Sequence, residues 1–314
     1  MNTAIAAAVL EVLSLNQRVE LDPVHPAKFS LKACFPNVLY SEFYVRLFFG
    51  LVMASITLIT IYLSVYTYAV LIFVLGVWMI WEWSRLVYQK WNSRILILQM
   101  LGYFVVTMCA VLQHYNAALY IMLLIALLSY VFSLLGHYGQ KTALWSGAGI
   151  FYVSFPTLSL IWFRHDLSLG VQALFYLMLI VWLTDSMAYL VGKNIGGWKL
   201  WPSISPNKTW SGFCGGLIAS GLVGALWGGY LQYPNILALI CLSFVLSLTT
   251  QIGDMLESAM KRNFGFKDSS LLIPGHGGIL DRVDGLVFAA CMAAILALWS
   301  DTSQPGAALL MIGS

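Results

Sequence analysis

Charge is scarce in this chain. Of 314 residues, 16 are Lys or Arg and 13 are Asp or Glu, 9% in all. A soluble globular domain carries about a quarter, so a charge-studded soluble fold is excluded. Cysteine offers no framework either: Cys34, Cys109, Cys214, Cys241 and Cys291 are scattered, without CxxC spacing, which points away from disulfide scaffolds and thiolate metal sites. No basic residue precedes the apolar stretch from Ile5 to Leu15, and Glu11 interrupts it, so a cleaved signal peptide is not expected. There is no Walker A loop, no internal repeat at fixed spacing and no low-complexity tract.

What the chain has is apolar mass: 60% hydrophobic residues, 14% aromatic and a mean hydropathy of +0.83. The reading is an all-α, polytopic integral membrane bundle. At about 20 apolar residues per crossing, nine spans are expected, near 47–65, 67–83, 95–113, 117–136, 143–163, 171–192, 211–232, 235–260 and 282–300. With the N-terminus cytoplasmic, 15 of the 16 Lys and Arg residues fall on the cytoplasmic side and Arg164 alone outside, as the positive-inside rule demands. Residues 1–44 read as an extramembrane or interfacial segment, 45–314 as one membrane-embedded catalytic domain whose motifs lie in 180–290.

The scarce charge is concentrated. Nine of the 29 charged residues fall between Ser247 and Asp284, and charge at membrane depth is costly and usually functional. On a helix, Asp254, Glu257, Ser258 and Lys261 stand at i, i+3, i+4 and i+7 and share one face. Asp281 and Asp284 do the same at the start of the last span. Two such helix ends meeting would present hard carboxylate oxygens to one space. Oxygen ligands without a His or Cys cluster favour Mg2+, bound through one or two carboxylates plus substrate phosphates. Between the helices, Gly275, Gly277 and Gly278 permit a tight loop in which His276 and Lys267 can meet phosphate oxygens.

Upstream, Asp185 closes the sixth apolar run and should face the bundle interior. The loop after it, GKNIGGWKLWPSISPNKTWSG, supplies Lys193, Lys199 and Lys208 with Ser205 and Thr209. Lysines serve phosphate as point charges, and glycines let backbone amides approach oxygens closely. Glu82, flanked by Trp81 and Trp83, reads as an interfacial belt residue near Arg85. His114 and His165 read as solvated outer-loop positions.

Taken together, Ser258-Ala-Met-Lys261-Arg262, Lys267-Asp268 and Pro274-Gly-His276-Gly-Gly-Ile-Leu-Asp281-Arg282-Val-Asp284 resemble the signature of the phosphatidate cytidylyltransferases. Asp185-Ser-Met-Ala188-Tyr189 and Ser205-Pro206-Asn-Lys208-Thr209-Trp210 are similar to that family's upstream motifs. The resemblance implies a nucleotidyltransferase that joins CTP to phosphatidic acid among membrane lipids, giving CDP-diacylglycerol and pyrophosphate for phospholipid biosynthesis. It implies Mg2+ at Asp254 and Asp281, with Asp185 and Asp284 as further ligands and room for a second cation such as K+. Lys261, Arg262 and His276 would offset charge in catalysis. Lys193, Lys199, Ser205, Lys208, Thr209, Ser258, Lys267, Asp268, Gly277, Gly278 and Arg282 would bind substrate. Many members have lysine where this chain has Gly197 and Ser203, so the triphosphate has fewer cations here. No nucleic acid is expected as a partner, a homodimer is left open, and a bacterial inner membrane is the expected location. Two other readings stand beside this one: another CTP-using membrane lipid enzyme, such as a lipid-alcohol kinase, and a cation-coupled transporter.

Overall fold

A computed structural model describes residues 42–89, 93–233, 235–270, 277–299 and 304–311. The chain divides into two compact units, Met1–Tyr44 and Val45–Ser314. Residues 1–41 of the first lie outside the described residues. The described residues are almost wholly helical: α1 (Glu42–Leu63), α2 (Val65–Tyr88), α3 (Ser93–Val111), α4 (Tyr115–Leu135), α5 (Gln140–His165), α6 (Gly170–Ile195), α7 (Trp210–Tyr230), α8 (Ile236–Asn263), α9 (Leu280–Leu298) and a short α10 (Pro305–Leu310).

All nine apolar stretches expected to cross are helical, and among the described residues seven helices, α2 to α8, are long and apolar enough to cross a membrane. Among the described residues the apolar part of α1 is the shorter run Gly50–Leu63. α9 opens with Asp281, Arg282 and Asp284 within its first five residues, and three charges in so short a stretch break the apolar run that a crossing needs.

Local chemistry sets the breaks. Ser64 separates α1 from α2 by a reciprocal cap: its hydroxyl accepts from the Thr67 amide, and the Thr67 hydroxyl accepts from the Ser64 amide, satisfying two donors the helix start would leave bare. The loop between α6 and α7 has regular structure of its own. It folds into an antiparallel hairpin of β1 (Lys199–Trp201) and β2 (Ser205–Thr209), with Lys199 opposite Thr209 and Trp201 opposite Ser205.

Apolar burial falls into three clusters, one of them packing α3, α4 and α5 around Val106, Met122 and Ile150; the other two flank the site. One packs α6, α8 and α9 around Tyr176, Leu177, Leu246 and Ala290; the other packs α2 and α5 against the start of α9 around Trp83, Val153 and Leu280. Small residues bring α6 and α7 together: a Cβ at Gly212 would lie 2.5 Å from the Ala188 carbonyl oxygen. Tertiary hydrogen bonds sort the helix ends into two sets. Lys141 to Asn263, Gln89 to the Phe264 carbonyl and Arg262 to the Ile204 carbonyl lie at one end of the bundle. Arg164 to the Ile61 carbonyl, Gln113 to His165 and Gly306 to Asp166 lie at the other. His165 is thus a helix-end residue with a partner rather than a solvated loop residue.

Candidate active site

The hairpin, the C-terminal ends of α6 and α8, the start of α7 and the start of α9 surround a cavity of about 760 Å3. Asp185, Lys193, Lys199, Ser205, Lys208, Thr209, Asp254, Lys261, Asp281, Arg282 and Asp284 all line it. These residues come from sequence positions a hundred apart, and helix packing brings them to one space. Asp185 is exposed because it opens into this cavity.

The cavity is electrically mixed, with five basic and four acidic lining residues. Lys208 Nζ lies 2.6 Å from Asp254 Oδ2 and so ties β2 to α8. Lys261, 8% exposed, stands between two carboxylates, 2.6 Å from Glu257 Oε2 and 2.5 Å from Asp281 Oδ1. Asp281 also accepts from the Ser269 amide at 3.1 Å, the Ser269 hydroxyl at 3.0 Å and the Gly278 amide at 2.8 Å. Thr209 caps α7, its hydroxyl accepting from the Gly212 amide at 3.2 Å, so the positive end of a helix dipole also meets the cavity wall.

The acidic groups suit a hard cation. Among the described residues the ion pairs reach Asp254 and Asp281, not Asp185 or Asp284, while the charges of Asp185, Asp254 and Glu257 all bear on Asp284. Beside them, Tyr152 Oη is buried without a hydrogen-bond partner among the described residues, and Glu257 has Lys261 nearby but accepts no well-directed hydrogen bond from them. Unfilled bonding capacity next to crowded carboxylates is what a bound ion and its waters would complete. Among the described residues no three His, Cys, Asp or Glu side chains form a metal cage by themselves.

Several expected residues stand outside the cavity lining. Ser258 approaches Asp254 Oδ1 at 3.5 Å. Arg262 is exposed and donates to the Ile204 and Phe266 carbonyls. Lys267 and Asp268 are exposed on the loop after α8. Gly277, at φ +81°, and Gly278 lie beneath Asp281. His276 falls outside the described residues. Gln251 and Asn207 line the cavity without having been singled out. Glu82 was misread: it is fully buried, not a belt residue, and it bonds to Ser269, Ser270, Ile279 and Leu280. The signal that could have found it is an acid inside an apolar run, which is functional by default.

Comparison with known proteins places these features in context. Residues 44–299 match the model of a family described as the cytidylyltransferase family. A phosphatidate cytidylyltransferase of Brucella suis biovar 1 (strain 1330) is 45% identical over 164 residues, 52% of this chain and 61% of the relative. One from Brucella abortus biovar 1 (strain 9-941) is 48% identical over 148 residues, 47% and 55% of the two chains. One from Staphylococcus aureus (strain COL) is 44% identical over 149 residues, 47% and 57%. The matched stretch thus spans less than two thirds of these relatives' own length.

Proposed function

The chain belongs to the cytidylyltransferase family, and from that membership we propose that it condenses CTP with phosphatidic acid, giving CDP-diacylglycerol and pyrophosphate. In this reading it works in a bacterial inner membrane with its cavity open to the cytoplasm, the side that supplies nucleotide. The observation that carries the proposal is the single cavity in which the hairpin lysines meet the carboxylates of α6, α8 and α9. Phosphate-binding cations and metal-binding oxygens are both needed when two anions must react.

An oxygen of the phosphatidic acid phosphate attacks the α-phosphorus of CTP, and the bond to the bridging oxygen of the β-phosphate breaks, so that pyrophosphate leaves with the electron pair. The attacking group is already anionic, so little general-base help is required. Catalysis consists of positioning and charge stabilisation. Lys208 releases Asp254 and meets the triphosphate, joined by Lys193, Lys199 and Arg282, and the start of α7 presents its amides. Asp254, Asp185 and Asp284 would hold Mg2+, which neutralises phosphate charge when bound; Asp281, a main ligand by the family resemblance, is instead assigned a positioning role because Lys261, Ser269 and Gly278 engage its oxygens. Asp281, with its oxygens engaged by Ser269 and Gly278, holds Lys261 in place against the reacting phosphates.

Purified protein given CTP, Mg2+ and phosphatidic acid should release pyrophosphate, and EDTA should stop it. Label on cytosine should enter the lipid. Transfer of the γ-phosphate label instead, with none from cytosine, would replace this reading with a lipid kinase.

A further inference from the structure

We propose that Glu82 is a positioning residue for the transfer site: from α2 it fixes the segment that leads into α9, and with it the Asp281 carboxylate. Its catalytic consequence rests on the function proposed above.

Glu82 is 0% exposed. Its Oε1 accepts from the Ser270 hydroxyl at 2.5 Å and the Ile279 amide at 3.0 Å. Its Oε2 accepts from the Ser269 hydroxyl at 3.0 Å and the Leu280 amide at 2.8 Å. Oε1 thus receives one hydroxyl and one amide, while Oε2 receives the Leu280 amide and shares the single Ser269 hydroxyl proton with Asp281 Oδ2. An ionised carboxylate is the side chain that can accept at both ends without presenting a donor. A buried carboxylate is costly unless such bonds compensate it, and here they come from both sides of residues 271–276.

The two amides are the first of α9, where a helix leaves its donors unsatisfied. Ile279, at the cap position, supplies no side-chain acceptor. Glu82 performs that service from another helix, nearly two hundred residues earlier in the chain. The link to the site is direct. The Ser269 hydroxyl stands 3.0 Å from both Glu82 Oε2 and Asp281 Oδ2, and Gly278, whose amide donates to Asp281, sits against Ser269 and Glu82 with no room for a Cβ. Asp281 in turn holds Lys261. A displacement at Glu82 is passed through one serine and one glycine to the cavity wall.

The test uses the full-length protein in detergent, with Glu82→Gln and Ser270→Ala. The Gln amide nitrogen must face a fixed backbone N–H in either orientation. We expect kcat to fall about 10–100-fold, the range for a residue that orients an active group, with KM for CTP and for phosphatidic acid within about twofold. Amide hydrogen exchange at Ile279 and Leu280 should quicken. Ser270→Ala, which adds no donor, should fold and lose several-fold in kcat. Unchanged exchange and unchanged kcat in both variants would overturn the proposal, as would lowered thermal stability with the kcat of the folded fraction intact. Should Glu82→Gln not fold, a wild-type kcat in Ser270→Ala overturns it alone. Should the wild type make no CDP-lipid, the function above falls, and the exchange rates still decide whether Glu82 holds α9.

Discussion

Lys208 on β2 and Asp254 on α8 form an ion pair of 2.6 Å in the wall of the cavity. Both side chains are partly accessible, so the pair is not a buried structural bridge, and an exposed pair of this kind adds roughly 0–1 kcal/mol to stability. Its value lies in exchangeability. Under the function proposed above, a triphosphate would take the ammonium while a divalent ion took the carboxylate, so that neither charge would be left bare during the exchange.

Lys208→Ala should therefore cost substrate affinity more than fold. We expect KM for CTP to rise about tenfold or more, the loss of one charge-assisted contact of roughly 1.5–3 kcal/mol, with thermal stability within a few degrees of wild type. Steady-state kinetics with CTP varied, beside thermal unfolding in detergent, checks both halves.

Asp254→Asn and Asp281→Asn should fail differently, because the two carboxylates are held differently. Both should lower cytidylyl transfer by about 100-fold or more, in line with loss of a preorganised electrostatic group. In Asp254→Asn, rising Mg2+ should recover part of the activity, since a ligand oxygen remains. In Asp281→Asn it should recover none, because the loss is of the Lys261 partner and of an acceptor for Gly278 and Ser269. A Mg2+ titration of each variant, with an EDTA-treated control, separates them.

The helices were legible in the sequence because apolar runs of crossing length carry one physical meaning, and α2 to α8 follow them closely. The number of crossings is less plain: among the described residues α2 to α8 are long and apolar enough to cross, while α9 is apolar on average but opens with three charges. Asp185, Lys208, Asp254, Asp281 and Asp284 could be gathered from motif and spacing. The hairpin could not: Lys199 and Thr209 pair through backbone geometry that lysines, glycines and prolines do not announce. Nor could the partners of Glu82, because a contact across nearly two hundred residues leaves no local pattern. Arg262 shows the opposite failure, a motif residue whose side chain binds backbone carbonyls outside the cavity.

Gly278→Ala should be severe although it adds one methyl group. The new Cβ would collide with the Ser269 hydroxyl and stand 2.5 Å from Glu82 Oε1, and neither neighbour can yield without breaking its own bonds. We expect a fall in kcat of at least the size given for Glu82→Gln, and a lower unfolding temperature, as overpacking costs roughly 1–3 kcal/mol. Gly229→Ala, on a helix position with open space around it, is the control and should leave both unchanged.

At the other end of the bundle, Asp166 predicts how stability responds to acid. It lies between α5 and α6, 6% exposed, and accepts from the Ser168 amide at 2.7 Å and hydroxyl at 2.5 Å, and from the Gly306 and Ala307 amides at 2.8 and 3.2 Å. It thereby fastens α10 to the α5–α6 turn. Burial works against its charge, but the bonds from Ser168 and from the start of α10 outweigh it and hold the carboxyl below its ordinary value. A group lowered in the folded state binds its proton more readily once unfolded, so its stabilisation is complete above about pH 4, the usual aspartate range, and is lost as pH falls through the folded value. Asp166→Ala should unfold at lower temperature than wild type at pH 6, by the roughly 1–3 kcal/mol that buried amides left without a partner cost. That difference should shrink as the pH is taken from 4 towards 2. Thermal unfolding of both proteins across this range measures it, and a gap that stays constant with pH would show that Asp166 acts through shape rather than charge.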